Sequence, residues 1–153
     1  MGIAFRWDRK GEIADSLRQG LESRITFTVR VYQRRQGILP FGLPFGLPFG
    51  RDRLLAEETV ARRAFWDFLE GKYVIQEEGG SLDSFATPEA LLEQFFSLEE
   101  VFALDAARDP RRPLSVMARA QLEPVRLMPP LTIVALVGKA ATYTTPWARK
   151  DVQ

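Results

Sequence analysis

The sequence predicts a mainly β, sandwich-like fold with two short helices, with an α+β arrangement as the alternative. Three observations lead there. Ile25, Phe27, Val29 and Val31 alternate with Thr26, Thr28, Arg30 and Tyr32, the period-two pattern of a half-buried strand rich in β-formers. Residues 131–137 form a strand-sized apolar run, expected to lie centrally with both faces covered. Only two segments carry helical spacing, too few for the regular strand–helix alternation of a βαβ fold.

The elements follow in order. Residues 3–7 alternate apolar and polar until charge breaks the pattern at 8–10. Ile13, Leu17 and Leu21 share one helical face, and Gly20 is placed to close that helix. The strand over 25–32 comes next. Its polar face carries Arg30 and Tyr32, so water or a polar neighbour is expected on that side.

A perfect tandem repeat then occupies 39–50, with Leu-Pro-Phe-Gly at 39–42, 43–46 and 47–50. One Pro and one Gly in every four residues prevent a regular helix and spoil a strand ladder, so 38–50 is expected to be a loop of successive turns. Six of the twelve repeat residues are large and apolar: Leu39, Phe41, Leu43, Phe45, Leu47 and Phe49. Loops usually lie on the surface. This one either packs down as a plug or is presented to something apolar.

Residues 54–66 read as a strand and 73–77 as its antiparallel return, around a five-residue loop at 67–71 with Gly71 at its end. Gly79 and Gly80 stop the return strand. Thr87 caps a second helix, with Pro88 at its first position and Glu89 in its first turn. Leu91, Leu92, Phe95, Phe96 and Leu98 give it a broad buried face. A charged turn over 106–113 leads to a strand in which Leu114, Val116, Ala118, Ala120 and Leu122 alternate with Met117, Arg119 and Gln121. No long linker divides the chain, so residues 1–153 are expected to form a single domain.

Composition excludes more than it includes. The 153 residues contain no His and no Cys, which removes the commonest general base, the commonest metal ligand, thiolate chemistry and disulfides. No Ser stands three residues before any of Lys10, Lys72, Lys139 or Lys150, so the Ser-x-x-Lys device is missing. Gly138–Lys139 lacks the rest of a phosphate loop. The carboxylate pairs Glu57–Glu58, Glu77–Glu78 and Glu99–Glu100 are adjacent in sequence. On a strand, neighbours point to opposite faces, so such pairs read as solvated rather than catalytic. No calcium-loop pattern occurs.

The chain is therefore expected to be no enzyme and to use no cofactor or metal. Net charge is +1, from 21 basic and 20 acidic residues, which argues against nucleic acid as a partner. Arg62 and Arg63 read as solvated strand arginines. Core packing accounts for Phe65, Trp66 and Phe68 and for Phe95, Phe96 and Phe102.

Several segments resemble one family. Ser84-Phe-Ala-Thr87 followed by Glu89-Ala-Leu91 is similar to the SFATxEEAL helix entry of the bacterial domain of unknown function forty-three-ninety. The order of the neighbouring segments is similar too: a short helix ending at Gly20, the strand from Arg24 to Tyr32, a hairpin before the SFAT segment, a Pro129–Pro130–Leu131 strand entry and a late Trp147. The resemblance implies a sandwich-like, mainly β protein of the periplasm or cell envelope, made with a signal peptide. The natural chain would then begin upstream of Met1. Two features depart from the family: the LPFG triplet replaces a shorter polar or Trp-containing loop, and the Thr144–Trp147 ending has one Trp where many members show two. The family has no assigned activity, so the resemblance assigns no residue a role.

The expected function is that of an interaction or adaptor module whose partner-binding residues are Leu39, Phe41, Leu43, Phe45, Leu47 and Phe49. They would contact an unidentified protein partner or a membrane surface, or mediate self-association. The alternative is a carrier for a lipid or other apolar ligand, held between sheets or beneath the Phe95–Phe96 helix.

Overall fold

A computed structural model describes residues 2–4, 6, 8–33, 52–99, 111–126 and 142–152. In chain order the elements are β1 (Gly2–Ala4), α1 (Lys10–Arg18), β2 (Glu22–Gln33), β3 (Arg53–Asp67), β4 (Lys72–Glu77), β5 (Leu82–Phe85), α2 (Pro88–Phe95), β6 (Ser97–Glu99), β7 (Leu114–Arg126), β8 (Tyr143–Thr144) and β9 (Ala148–Val152). The protein is mainly β with two short helices, the class its sequence predicts. One sheet has seven strands in the order β5-β4-β3-β2-β7-β8, with β9 also paired to β7. β1 and β6 form a separate ladder. The repeat over 38–50, the apolar run over 131–137 and Phe102 lie outside the described residues.

The chain divides into two compact units. The first comprises Met1–Phe27, Thr59–Val101 and Ala120–Pro146; the second comprises Thr28–Glu58, Phe102–Arg119 and Trp147–Gln153.

In the first unit α2 lies against α1, β4, β5 and β6. Ile13 and Leu17 of α1, Ile25 and Phe27 of β2, Ala64 of β3, Val74 of β4 and Leu91 and Phe95 of α2 are almost wholly buried. These are the apolar positions at helical or alternating spacing, brought to one core. α1 ends as its glycine predicts. Gly20 takes a φ of +78°, its N–H donates to Leu17 O, and the Leu21 N–H donates to Ser16 O. This is a Schellman closure that satisfies two carbonyls of the last turn. A Cβ at Gly20 would also sit 2.9 Å from Cζ of Phe68, so a side chain there would push that exposed ring aside, and the left-handed φ is what reserves the position for glycine.

Thr87 caps α2 in extended conformation, its Oγ1 accepting from the Ala90 N–H at 3.3 Å, with Pro88 behind it in the first turn. That bond is long and exposed. Thr87→Ala is expected to cost only about 1 kcal/mol, measured as a small shift in the urea midpoint.

The β3–β4 hairpin has the predicted pairing, from Arg62↔Glu77 to Asp67↔Lys72. Its loop is one residue shorter than the sequence implies, because Asp67 itself pairs with Lys72. Asp67 Oδ1 accepts from the N–H groups of Leu69 and Glu70, and the Gly71 N–H donates to Asp67 O. Gly71 takes a φ of +63°, which turns the chain into β4.

In the second unit Val29 and Val31 of β2 and Leu114, Val116 and Ala118 of β7 are buried, on the alternation read from the sequence. β9 runs antiparallel to β7, from Leu114↔Val152 to Ala118↔Ala148.

Four short strands, β5, β6, β8 and β9, have no counterpart in the sequence reading. Each is made by its partner rather than by its own pattern. β5 shows only half-buried and exposed residues and exists because β4 offers an edge, from Tyr73↔Phe85 to Gln76↔Leu82. At β8, the Thr145 N–H donates to Ala120 O while Thr145 Oγ1 accepts from the Ala120 N–H. A side chain thus supplies the acceptor that a strand carbonyl normally would.

Candidate functional site

The β3–β4 hairpin tip is the first candidate. Phe68 is 77% exposed and Leu69 98% exposed, which corrects the reading of Phe68 as core. The reason is geometric. Once Asp67 and Lys72 pair, residues 68–71 project beyond the ladder, and among the described residues no element covers them except at Gly20, where the Phe68 ring rests. The Asp67 side-chain bonds and the left-handed Gly71 fix the backbone there, so two large apolar side chains stand in water on a preordered turn. The signal was legible: hydrophobic residues between a turn-forming Asp and a Gly cannot face the core of their own hairpin.

The second candidate is a cleft of about 380 Å3 lined by Arg24, Ala61, Arg62, Arg63, Gln76, Glu77, Glu78 and Gly79. It corrects the reading of Arg62 as a solvated strand residue. The Arg62 side chain is 12% exposed, and its Nε donates to Glu77 Oε2 at 2.7 Å. Its Nη1 donates to the carbonyl oxygens of Gln94 and Ser97, and the guanidinium lies 5.9 Å from the centroid of the Phe27 ring. Arg63 is held by Gln76, faces Glu22 at 3.8 Å and lies over Phe65. Arg24 pairs with Glu78. The guanidinium groups lining this cleft already have acceptors in the protein, so the cleft reads as structural pinning rather than as an anion site.

A third cluster lies in the second unit. The guanidinium carbons of Arg30 and Arg119 stand 4.8 Å and 4.7 Å from the centroid of the Trp147 ring. Glu57 meets Arg30 with both oxygens, Oε1 at 3.2 Å from Nη2 and Oε2 at 3.1 Å from Nε. The hydrogen bond and charge of Glu57 raise the Arg30 guanidinium above its ordinary pKa. The polar neighbour expected on the Arg30 face of β2 is therefore Trp147 together with Glu57. Residue types alone do not connect positions 30, 119 and 147, because the sheet brings β2, β7 and the β8–β9 connection together from distant parts of the chain.

The apolar hollow bounded by Ile25, Phe96, Leu122 and Tyr143 has a volume of about 10 Å3, no more than one water molecule needs. Among the described residues this hollow itself is too small for an acyl chain. Leu39, Phe41, Leu43, Phe45, Leu47 and Phe49, the partner-binding residues expected from the sequence, lie outside the described residues. Among the described residues no group of acidic side chains is placed to hold a metal ion, and no helix is long and apolar enough to cross a membrane. No family model, curated protein or solved structure matches the chain.

Proposed function

We propose that this protein is a non-enzymatic adaptor of the bacterial cell envelope that docks on a protein partner through apolar side chains held out on preordered turns. The observation that carries the reading is the hairpin tip, with Phe68 and Leu69 at 77% and 98% exposure on a turn fixed by Asp67 and Gly71. A preordered turn loses little entropy on docking, so more of the contact energy reaches the affinity. Aromatic anchors of this kind dominate binding where they enter a partner's pocket. In sequence, the LPFG tetrads multiply the same chemistry with Phe41, Phe45 and Phe49 at every fourth residue and Pro fixing one backbone angle in each. A chain without His or Cys is better suited to binding than to proton or group transfer. The envelope assignment rests on the resemblance around Ser84–Thr87.

The test uses two variants, Phe68→Ser/Leu69→Ser and Phe41→Ser/Phe45→Ser/Phe49→Ser, with the parent as bait in a detergent extract of bacterial envelopes. Both variants are expected to keep the parent's stability to within about 0.5 kcal/mol, as surface changes do, and to lose the protein that the parent retains. Retention unchanged in both folded variants would overturn the reading. Unfolding of the triple variant would instead make its phenylalanines core. Binding to phosphatidylcholine–phosphatidylglycerol vesicles that both variants lose would replace the protein partner with a membrane surface.

A further inference from the structure

Of the arginines that β2, β7 and β9 place in the second unit, two have carboxylate partners and one has none. Arg30 is met by Glu57. Arg149 faces Asp52 at 3.7 Å and Asp151 at 3.3 Å. Arg119, half-buried on the strand face opposite the buried Ala118 and Ala120, has no hydrogen-bond or ion-pair partner among the described residues. Its one contact of this kind is the Trp147 ring, 4.7 Å away.

Stacking on an indole orients a guanidinium without using its N–H groups, which stay available in the planar fork that matches a carboxylate. The same ring carries Arg30 at 4.8 Å, a second guanidinium already occupied by Glu57 of this chain. The local charge balance decides the ligand. Arg30 and Glu57 cancel, which leaves a single positive charge on Arg119. A monoanion complements it, whereas a phosphate group, with a charge of about −1.5 to −2, would be left with excess negative charge.

We propose that Arg119, oriented by Trp147, is a carboxylate-binding site on the half-buried Arg119 face of β7 in the second unit, and that its occupant is an acidic side chain of the protein partner. The proposal rests on the adaptor reading for the source of the carboxylate, while the site itself is testable without that partner. Glu57 then acts as a specificity element: by occupying Arg30 it limits the site to one carboxylate.

The probe is poly-L-glutamate of about 20 residues, titrated into the folded protein while the Arg119 Nε–H and Trp147 indole N–H resonances are followed by NMR. A phosphoserine oligomer of similar length, whose phosphate groups carry about −1.5 to −2 each, provides the competing arm. Both resonances are expected to shift saturably with polyglutamate. Arg119→Gln should weaken binding at least tenfold, and Arg119→Lys should recover only part of it, because an ammonium keeps the charge without the fork. Glu57→Gln should tighten binding several-fold by freeing Arg30, a gain that a purely structural role for the stack would not produce. Phe68→Ser/Leu69→Ser should leave this titration unchanged, so failure of the hairpin reading and failure of this one are separate results. Equal binding by the folded Arg119→Gln protein, the phosphoserine oligomer binding tighter than polyglutamate, or no gain with Glu57→Gln would each overturn the proposal.

Discussion

Phe95→Ala is expected to cost about 3–5 kcal/mol, the range for truncating a buried aromatic side chain. Phe95 has no measurable exposure and stands edge-on to Phe96, ring centroids 5.4 Å apart at an interplanar angle of 78°. It lies on the face of α2 that also buries Leu91 and Leu92. That helix is only eight residues long, well below the roughly 12–15 at which isolated helices become even marginal. Packing therefore holds it, and Phe95 supplies the largest side chain of the packed face. Against a typical total of about 5–15 kcal/mol, the loss should bring the urea midpoint down by about a fifth or more. A midpoint equal to the parent's would mean that α2 is not held by this face. The comparison with Thr87→Ala is informative because the two changes lie on one helix. The cap satisfies a single exposed N–H, whereas the ring excludes a core-sized volume of water, so the ratio of effects should be at least threefold.

What was legible in the sequence divides along a physical line. Elements whose own residues carry a period were readable: the alternation of Ile25 to Val31, the apolar face of Leu91 to Phe95, the Thr87–Pro88 helix start, and the hairpin pairing of Arg62 with Glu77. Elements created by a partner's edge were not. β6 is three residues that pair with Gly2–Ala4, about 95 positions earlier in the chain, and nothing within Ser97–Glu99 announces that pairing.

The candidate sites divide in the same way. The exposure of Phe68 and Leu69 follows from local turn chemistry and was misread only because aromatic residues are counted as core by default. The stack of Arg30 and Arg119 on Trp147 depends on strand order, which composition and spacing do not contain. The treatment of Arg62 as solvated failed for a related reason. Alternation places it opposite the buried Ala61 and the 0%-exposed Ala64 lies two positions on, yet α2 and β6 return over that face and bury it.

That return makes Arg62 the second site of large effect. Arg62→Met keeps an apolar stem of similar reach and removes the charge and all donors. It leaves Glu77, 28% exposed, without its 2.7 Å partner, and it strips the Gln94 and Ser97 carbonyls of their shared donor. Breaking a buried pair from one side costs about 3–5 kcal/mol. Glu77 keeps some contact with water here, so about 2–4 kcal/mol is expected for the single change.

The double variant Arg62→Met/Glu77→Met separates the contributions. If the stranded carboxylate is the main cost, removing it should restore part of the lost stability and give a coupling of about 1–2 kcal/mol by double-mutant cycle. Recovery should stay incomplete, because no thioether donates to the two carbonyls at the end of α2 and the start of β6. Arg62→Lys tests that last point independently. An ammonium placed at Glu77 cannot also span to Ser97 as the planar fork does, so lysine should rescue less than half of the loss. Stability equal to the parent's in Arg62→Met would return Arg62 to the solvated class. Full rescue by lysine would instead show that charge alone, rather than the three-way clamp on β4, α2 and β6, is what this arginine contributes.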